Sequence, residues 1–218
     1  MKKRLIIALA LLLLFSTYKL KKIPSLSKFS IKEIELENNH ILKDREIKKN
    51  LTFIYGSNLF FLSTSQIKKT LKEISFIESF ELKKSYPDKI KIKIFEKKPI
   101  AILQDKKNKF YISQNFDLIN YKELEKYEIL PIVFGNEKNF QVFYNELKKI
   151  NFPINTIKKY YFFESKRWDL ETHSKILIKL PSQNYNKGLK NFMELSKDYN
   201  FDKYKVFDYR INNQLILK

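Results

Sequence analysis

The side chains that most often carry catalysis or bind metals are scarce in this chain. There is no cysteine, which excludes thiol catalysis, thiolate metal sites and disulfides. His40 and His173 both lie beside turn-forming residues, so we expect solvated loop side chains rather than metal ligands. The chain has 3 glycines, too few for a phosphate-binding loop of the Gly-rich type, and no Gly-x-Ser-x-Gly elbow. We therefore predict no catalytic residue, no cofactor and no metal.

Two further clusters could be interpreted as sites. Glu123 and Glu125 could act as a general acid and a general base, but the run 121–128 is so polar that a solvated surface explains them better. The aromatic run 160–163 could stack sugars or bases. A strand that is buried on both faces explains it as well, and we favour core. Of the function classes considered, the sequence supports an enzyme least.

Lysine dominates the charge of the chain. Lys and Arg total 43 against 24 Asp and Glu, which gives a net charge of +19. Arginines are rare among these cations, whereas proteins that read nucleic acids usually use arginine forks. The lysines could bind an anionic polymer or lipid, or they could be a solvated coat produced by codon drift. We favour the coat and predict no nucleic-acid partner.

The N-terminal residues have the pattern of a membrane-targeting segment. Basic residues at positions 2–4 precede the uninterrupted apolar run Leu5–Phe15. A secretory signal peptide would also need small residues at a cleavage site, but Tyr18 and Lys19 occupy that place. We predict a retained transmembrane anchor over residues 5–22, and a cleaved signal peptide is the alternative. The apolar residues of the predicted anchor are Leu5, Ile6, Ile7, Leu9, Leu11, Leu12, Leu13, Leu14 and Phe15.

This apolar segment is short for a membrane span. As a helix, residues 5–20 would rise about 24 Å against about 30 Å of hydrocarbon, and flanking lysines could extend to the interface. Both interpretations place the body outside the cytoplasm. The anchored form predicts a single-pass protein of the inner (cytoplasmic) membrane, in contact with its lipid, with a cytoplasmic N-terminus and a periplasmic body.

The first part of the body combines strands and helices. After a linker at residues 23–28, we predict a strand over 29–36 and a short helix that Asp44 caps. Ser63 and Gln66 have the spacing of a capping box at the start of a second helix.

Two strands and a turn complete this part. A strand over 76–84 leads into the turn Tyr86-Pro87-Asp88. Residues 89–96 then alternate strictly, with isoleucines on one face and lysines on the other, as a half-buried antiparallel strand does. The predicted order is strand, helix, helix, strand, strand.

Beyond Pro99, short apolar runs recur between turns, as in a domain dominated by antiparallel strands. Helices are predicted over 139–150 and 186–199. The last two strands, 205–211 and 214–217, flank Asn212-Asn213, which suits a two-residue hairpin turn.

An ordered set of short motifs resembles the FtsQ/DivIB family of bacterial cell-division proteins. Each motif alone is weakly specific, but their order and the position of the anchor match the family along nearly the whole chain. The motifs are Asn58-Leu59-Phe60-Phe61, Tyr86-Pro87-Asp88, the exit Glu96 to Ala101, Leu130-Pro131-Ile132 with Gly135, Arg167-Trp168-Asp169-Leu170 and Phe207-Asp208-Tyr209-Arg210.

The resemblance implies an α+β fold with an N-terminal transmembrane helix, a POTRA module (βααββ) and a mainly antiparallel β domain with helices. It implies a non-enzymatic divisome scaffold that contacts FtsB-like (DivIC-like) and FtsL-like proteins and other divisome membrane proteins. The predicted boundaries are 1–4 for a cytoplasmic head, 5–22 for the anchor, 23–28 for a linker, 29–98 for the POTRA module and 99–218 for the β domain.

The C-terminal strand is the predicted partner site. Residues 214–217 carry neither charge nor proline, the usual means of blunting an exposed strand edge. A partner strand could pair with such an edge, and the resemblance points to the same end of the chain. Core packing is the alternative for Leu215 and Leu217, and Arg210 is expected to meet a partner carboxylate. The predicted site residues are Phe207, Tyr209, Arg210, Ile211, Leu215, Ile216 and Leu217.

Two functions of other classes stay open. A basic extracytoplasmic protein could bind an anionic polymer through its lysines, and that binding should weaken steeply with salt. A POTRA chaperone of envelope assembly is the third possibility, and the single POTRA module counts against it.

Overall fold

The computed structural model describes residues 2–17, 26–106, 108–198, 203–211 and 213–218. It divides into two compact units, Met1–Phe95 and Glu96–Lys218. Each unit has its own elements and is described by itself.

The N-terminal apolar run is helical. α1 spans Lys2–Thr17, and leucine and isoleucine side chains between positions 6 and 13 are more than half exposed. Within the parts of the chain that the structure describes, no helix has both the length and the apolarity needed to span a bilayer. Residues 18–22 of the predicted anchor and 23–25 of the predicted linker lie outside the described residues, so the anchor stays a prediction.

The first unit contains a three-stranded sheet and two further helices, in the predicted order of strand, helix, helix, strand, strand. The sheet order is β1-β3-β2, with β1 parallel to β3. Single 3-10 turns lie at Leu26–Phe29 and Thr52–Ile54. The elements are β1 (Glu33–Glu37), α2 (Asp44–Asn50), α3 (Thr64–Glu73), β2 (Ile77–Ser85) and β3 (Lys89–Glu96).

The alternation of β3 produces the core of this unit. Ile90, Ile92 and Ile94 are all fully buried, because successive side chains of a strand point to opposite faces. Ile67 and Leu71, one turn apart on α3, are buried as well. β3 is the central strand, and its parallel neighbour β1 corrects the expectation of purely antiparallel pairing.

The structure corrects the predicted starts of β1 and α2. The first strand begins at Glu33 rather than at residue 29, since residues 26–29 form a 3-10 turn. Asp44 is the first helical residue of α2 instead of its cap, which is Lys43. Ser63 does cap α3, and its side chain accepts a hydrogen bond from the Ser65 amide.

The second unit is built on one nine-stranded sheet of order β12-β11-β10-β9-β8-β7-β4-β5-β6. Most neighbouring pairs are antiparallel, and the parallel pairs are β4 with β7, β7 with β8, and β10 with β11. The strands are β4 (Pro99–Asp105), β5 (Asn108–Ser113), β6 (Leu118–Asn120), β7 (Ile132–Phe134), β8 (Ile157–Phe162), β9 (Trp168–Thr172), β10 (Leu177–Lys179), β11 (Val206–Asp208) and β12 (Ile216–Leu217).

Two helices, α4 (Glu137–Lys149) and α5 (Tyr185–Leu195), pack on this sheet. Phe143 of α4 stacks on Trp168 of β9 with ring centroids 4.7 Å apart. Phe192 of α5 meets Phe207 of β11 edge-on at 5.1 Å. Aromatic pairs of this kind add to area burial, so the helices and the C-terminal strands share one core.

The aromatic run 160–163 is not buried on both faces, which corrects that expectation. Tyr160 is fully buried under α4, whereas Tyr161 lies on the other face and stacks on Phe134 at 5.0 Å. Phe163 is 37% exposed. Strand alternation explains this arrangement.

The C-terminal hairpin has a longer loop than the two-residue turn that Asn212-Asn213 predicted. β11 ends at Asp208 and β12 begins at Ile216, so residues 209–215 connect them. Asn212 lies outside the described residues, and Asn213 has the left-handed backbone conformation that asparagine tolerates.

Candidate functional site

β12 lies at one edge of the nine-stranded sheet. In the described part of the chain its one strand neighbour is β11, with which it pairs antiparallel. Phe207 lies opposite Leu217, and Asp208 lies opposite Ile216. The strand is short, which is one way in which natural proteins limit pairing at an edge.

The register determines which backbone groups of β12 face outward. Lys218 and Val206 exchange two hydrogen bonds, since the amide of each donates to the carbonyl of the other at 3.1 and 2.9 Å. Bonded and non-bonded pairs alternate along an antiparallel ladder. Ile216 is therefore bonded to Asp208, while the N–H and C=O of Leu217 point away from β11 toward the open edge.

Two of the predicted site residues lie in the core instead. Phe207 and Tyr209 are 1% and 7% exposed. The hydroxyl of Tyr209 donates to Oδ1 of Asn191 on α5 at 3.0 Å, and burial raises the pKa of this tyrosine. These side chains hold the C-terminal strands to α5 and offer a partner little surface.

The apolar side chains available at this end are fewer than predicted. Ile211 is 51% exposed, Ile216 38% and Leu217 37%, whereas Leu215 is half-buried against the core. Together with the outward backbone of Leu217, these three exposed side chains form what we call the β12 edge: Ile211, Ile216 and Leu217.

Arg210 has a partner within the chain. Its Nε donates to both carboxylate oxygens of Asp208 at 2.8 and 3.0 Å, and one terminal nitrogen donates at 2.6 Å. These bonds lower the pKa of Asp208 and raise that of Arg210. The guanidinium expected to meet a partner carboxylate is thus already paired, although it stays partly exposed.

A row of charges crosses the sheet beside the β12 edge. Lys179 of β10 lies opposite both Asp169 of β9 and Asp208 of β11. Asp169 is 4% exposed, and burial raises its pKa even though Arg167 lies 3.4 Å away. The two carboxylates thus differ because hydrogen bonds to Arg210 dominate at Asp208 and desolvation dominates at Asp169.

The Asp208–Arg210 pair predicts a specific pH dependence. Because the folded pKa of Asp208 is lowered, its contribution to stability is present above the unfolded pKa of about 3.9 and is lost as the pH falls through the folded pKa. We expect Asp208→Asn to lower the free energy of unfolding by about 1 kcal/mol at neutral pH, since Arg210 is partly exposed.

Urea unfolding of the two proteins at neutral pH and at progressively lower pH measures this. The difference between variant and wild type should shrink as the pH drops below the unfolded pKa. A difference that is the same at both pH extremes would contradict the assignment. Lys187→Ala, at an exposed cation on α5, is the control for loss of a surface hydrogen bond.

A groove of about 750 Å³ lies beside the β12 edge, between the start of α5 and the loop that precedes β12. Gly188 forms part of its wall, and a Cβ at this position would meet Tyr209 Cγ at 3.0 Å. The sequence analysis did not predict this close approach. A glycine inside a helical pattern could have indicated it.

His40 and His173 are exposed loop residues, as predicted. Over the described residues, no group of three or more His, Cys, Asp or Glu side chains is placed to hold a metal ion.

Comparison with known proteins places these two units in one family. The POTRA domain of FtsQ type matches residues 29–97, and the C-terminal domain of cell division protein FtsQ/DivIB matches residues 101–210. The chain belongs to the FtsQ/DivIB family. This confirms the resemblance carried by the motifs.

Individual FtsQ and DivIB proteins are similar to this chain as well. Cell division protein FtsQ of Rickettsia bellii is 30% identical over 194 residues, which cover 87% of this chain and 72% of that protein. FtsQ of Rhizobium meliloti is 21% identical over 163 residues, covering 74% and 53%. Cell division protein DivIB of Clostridium acetobutylicum is 27% identical over 95 residues, covering 44% and 38%.

The family match supports a role in the division complex of the cell, with other division proteins as partners. It ends at Arg210, so β12 and the exposed residues of the β12 edge lie beyond the matched region.

Proposed function

We propose that this FtsQ/DivIB-family chain is a non-enzymatic scaffold of the divisome, which links early and late division proteins through its extracytoplasmic body. Its β12 edge receives an added strand from a small FtsB-like (DivIC-like) or FtsL-like coiled-coil protein. The observation that carries the proposal is the outward-facing backbone of Leu217 on an edge strand.

Strand addition suits this edge for two reasons. Backbone hydrogen bonds supply affinity that does not depend on side-chain identity, and alternate side chains supply specificity. Ile216 and Leu217 lie on opposite faces of the strand and are both partly exposed. A partner strand therefore finds an apolar side chain on each face of the sheet.

Residues outside β12 act as support for the site. Phe207 and Tyr209 fix β11 against α5, and Arg210 is held by Asp208 at the start of the loop. A partner carboxylate could still approach Arg210 from the solvent side, because its side chain is 43% exposed. The Arg210 guanidinium would then bind the partner carboxylate and Asp208 at the same time.

The proposal includes anchoring by the N-terminal segment. The apolar run of α1, with basic residues before and after it, would hold the residues before it in the cytoplasm and the body in the periplasm. The chain would then be a single-pass protein of the inner membrane.

Co-purification of the tagged full chain from its native membrane tests this function. We expect small single-pass coiled-coil division proteins to be retained at both low and high salt, because strand pairing is not chiefly electrostatic. Retention of an anionic polymer, lost steeply as salt rises, would instead support the lysine-coat function that the charge of +19 allows. Absence of any division protein would contradict the scaffold.

A further inference from the structure

An exposed aromatic patch lies at one end of the first unit. Its rings come from three separate segments: Phe29 from the 3-10 turn, Phe60 and Phe61 from the loop before α3, and Tyr86 from the turn between β2 and β3. Phe60 is 54% exposed, Phe61 81% and Tyr86 52%. Large apolar side chains clustered at a surface mark an interaction site.

Ring contacts and hydrogen bonds hold the residues of the patch in place. The ring of Phe60 lies 4.9 Å from that of Phe29 and 4.8 Å from that of Tyr86. Lys84 donates to the carbonyls of Phe60 and Leu62, both at 3.2 Å. These bonds hold the loop in place.

The neighbouring backbone turns the phenylalanines outward. The amide of Leu59 donates to the carbonyl of Phe29 at 2.8 Å, and the Leu59 side chain is fully buried. The Asn58 side chain accepts from the Phe60 amide at 2.9 Å. Leu59 therefore anchors the segment in the core, while Phe60 and Phe61 point away from it.

The chain length before the patch limits how far the patch can lie from a bilayer that holds α1. α1 ends at Thr17, and the turn that carries Phe29 begins at Leu26. The nine residue steps between them reach at most about 30 Å in any conformation. A bilayer that holds α1 is therefore within tether length of this end of the module. The opposite end, where β3 finishes, is about 23 Å farther along the strands.

The charges around the patch favour an anionic surface. Lys32 and Asp88 lie 3.7 Å apart and offset each other. The remaining cations are Lys28, which is exposed, and Lys84, whose ammonium is bonded to backbone carbonyls and keeps its positive charge. Tyrosine with its polar tip, phenylalanine and lysine together suit the boundary between headgroups and acyl chains.

We propose that the patch of Phe29, Phe60, Phe61 and Tyr86 docks into the interface of the anionic bilayer that holds α1, and so orients the POTRA module at the membrane. This rests on the anchoring proposed above. The occupant is phospholipid, with the rings inserted among the headgroups and the exposed Lys28 facing lipid phosphates.

The absence of cysteine from the chain allows a clean test. A polarity-sensitive fluorophore is attached to Phe61→Cys or, as the matched control at the far end of β1, to the exposed Glu37→Cys. The full chain is reconstituted into vesicles of anionic phospholipid with a quencher on the upper acyl chain. We expect several-fold stronger quenching and a blue-shifted emission for the Phe61→Cys label. Tyr86→Cys should behave in the same way.

The outcomes distinguish a failure of membrane docking by the patch from a failure of the N-terminal anchor. Vesicle flotation after carbonate extraction reports the anchor alone. A chain that floats while its Phe61→Cys label is quenched no more than the Glu37→Cys label would overturn docking and leave the anchor standing. A chain that fails to float would overturn both. If the Phe61→Cys label is shielded from aqueous iodide but is not quenched by the lipid quencher, protein rather than lipid covers the patch. That result would contradict the proposal.

Discussion

Leu217→Pro is expected to abolish retention of the proposed coiled-coil partner while the chain stays folded. Proline removes a backbone donor, and the register gives Leu217 the donor that faces the open edge. Proline is tolerated on an edge strand where the missing N–H would face solvent. Co-purification measures the loss, and circular dichroism checks the fold.

Two matched variants isolate the backbone contribution. Leu217→Ala removes the side chain but keeps the N–H, so it should retain a substantial part of the partner. Ile216→Pro removes the donor that faces Asp208 inside the sheet, and we expect it to loosen β12 itself. Partner retention by a folded Leu217→Pro variant would exclude strand addition at this edge.

Ile92→Lys is expected to unfold the first unit. Ile92 lies in the middle of the central strand β3 and is fully buried, so the ammonium would enter an apolar core without a partner. Ile92→Ala should lower the free energy of unfolding by about 2–5 kcal/mol, the usual cost of removing this much of a buried side chain. Hydrogen exchange of peptides from residues 29–97 measures both changes in the full chain.

Lys93→Ala on the same strand is the control, because Lys93 is exposed and its replacement should change stability by less than about 0.5 kcal/mol. Normal protection of residues 29–97 in the Ile92→Lys variant would mean that the face of β3 is assigned wrongly. A cost for Ile92→Ala equal to that of Lys93→Ala would lead to the same conclusion.

The elements that sequence predicts best are those whose pattern is local. β3 is predicted correctly as a strand, because apolar and charged residues alternate with a period of two over Lys89–Glu96 and this pattern does not fit a helix. α4 is predicted within two residues at its start, since its apolar residues recur at helical spacing. The order of strands and helices in the first unit follows from such patterns alone.

Features that depend on distant partners were missed. Nothing within residues 205–217 indicates that Phe207 and Tyr209 meet α5, because Phe192 and Asn191 lie far away in sequence. The pairing of Arg210 with Asp208 was missed as well, although it is local, since the two residues are only two positions apart. The three-segment aromatic patch could not be predicted either, since Phe29, Phe60 and Tyr86 are brought together only by the folded module.

Amide exchange at the β12 edge tests the central claim most directly. The full chain, labelled with ¹⁵N at leucine and isoleucine, is compared alone and with its co-purified partner. We expect the Leu217 amide to exchange rapidly alone and to become strongly protected in the complex, whereas the Ile216 amide, bonded to Asp208 in both states, changes little. A Leu217 amide that exchanges equally fast with the partner bound would contradict strand addition at β12.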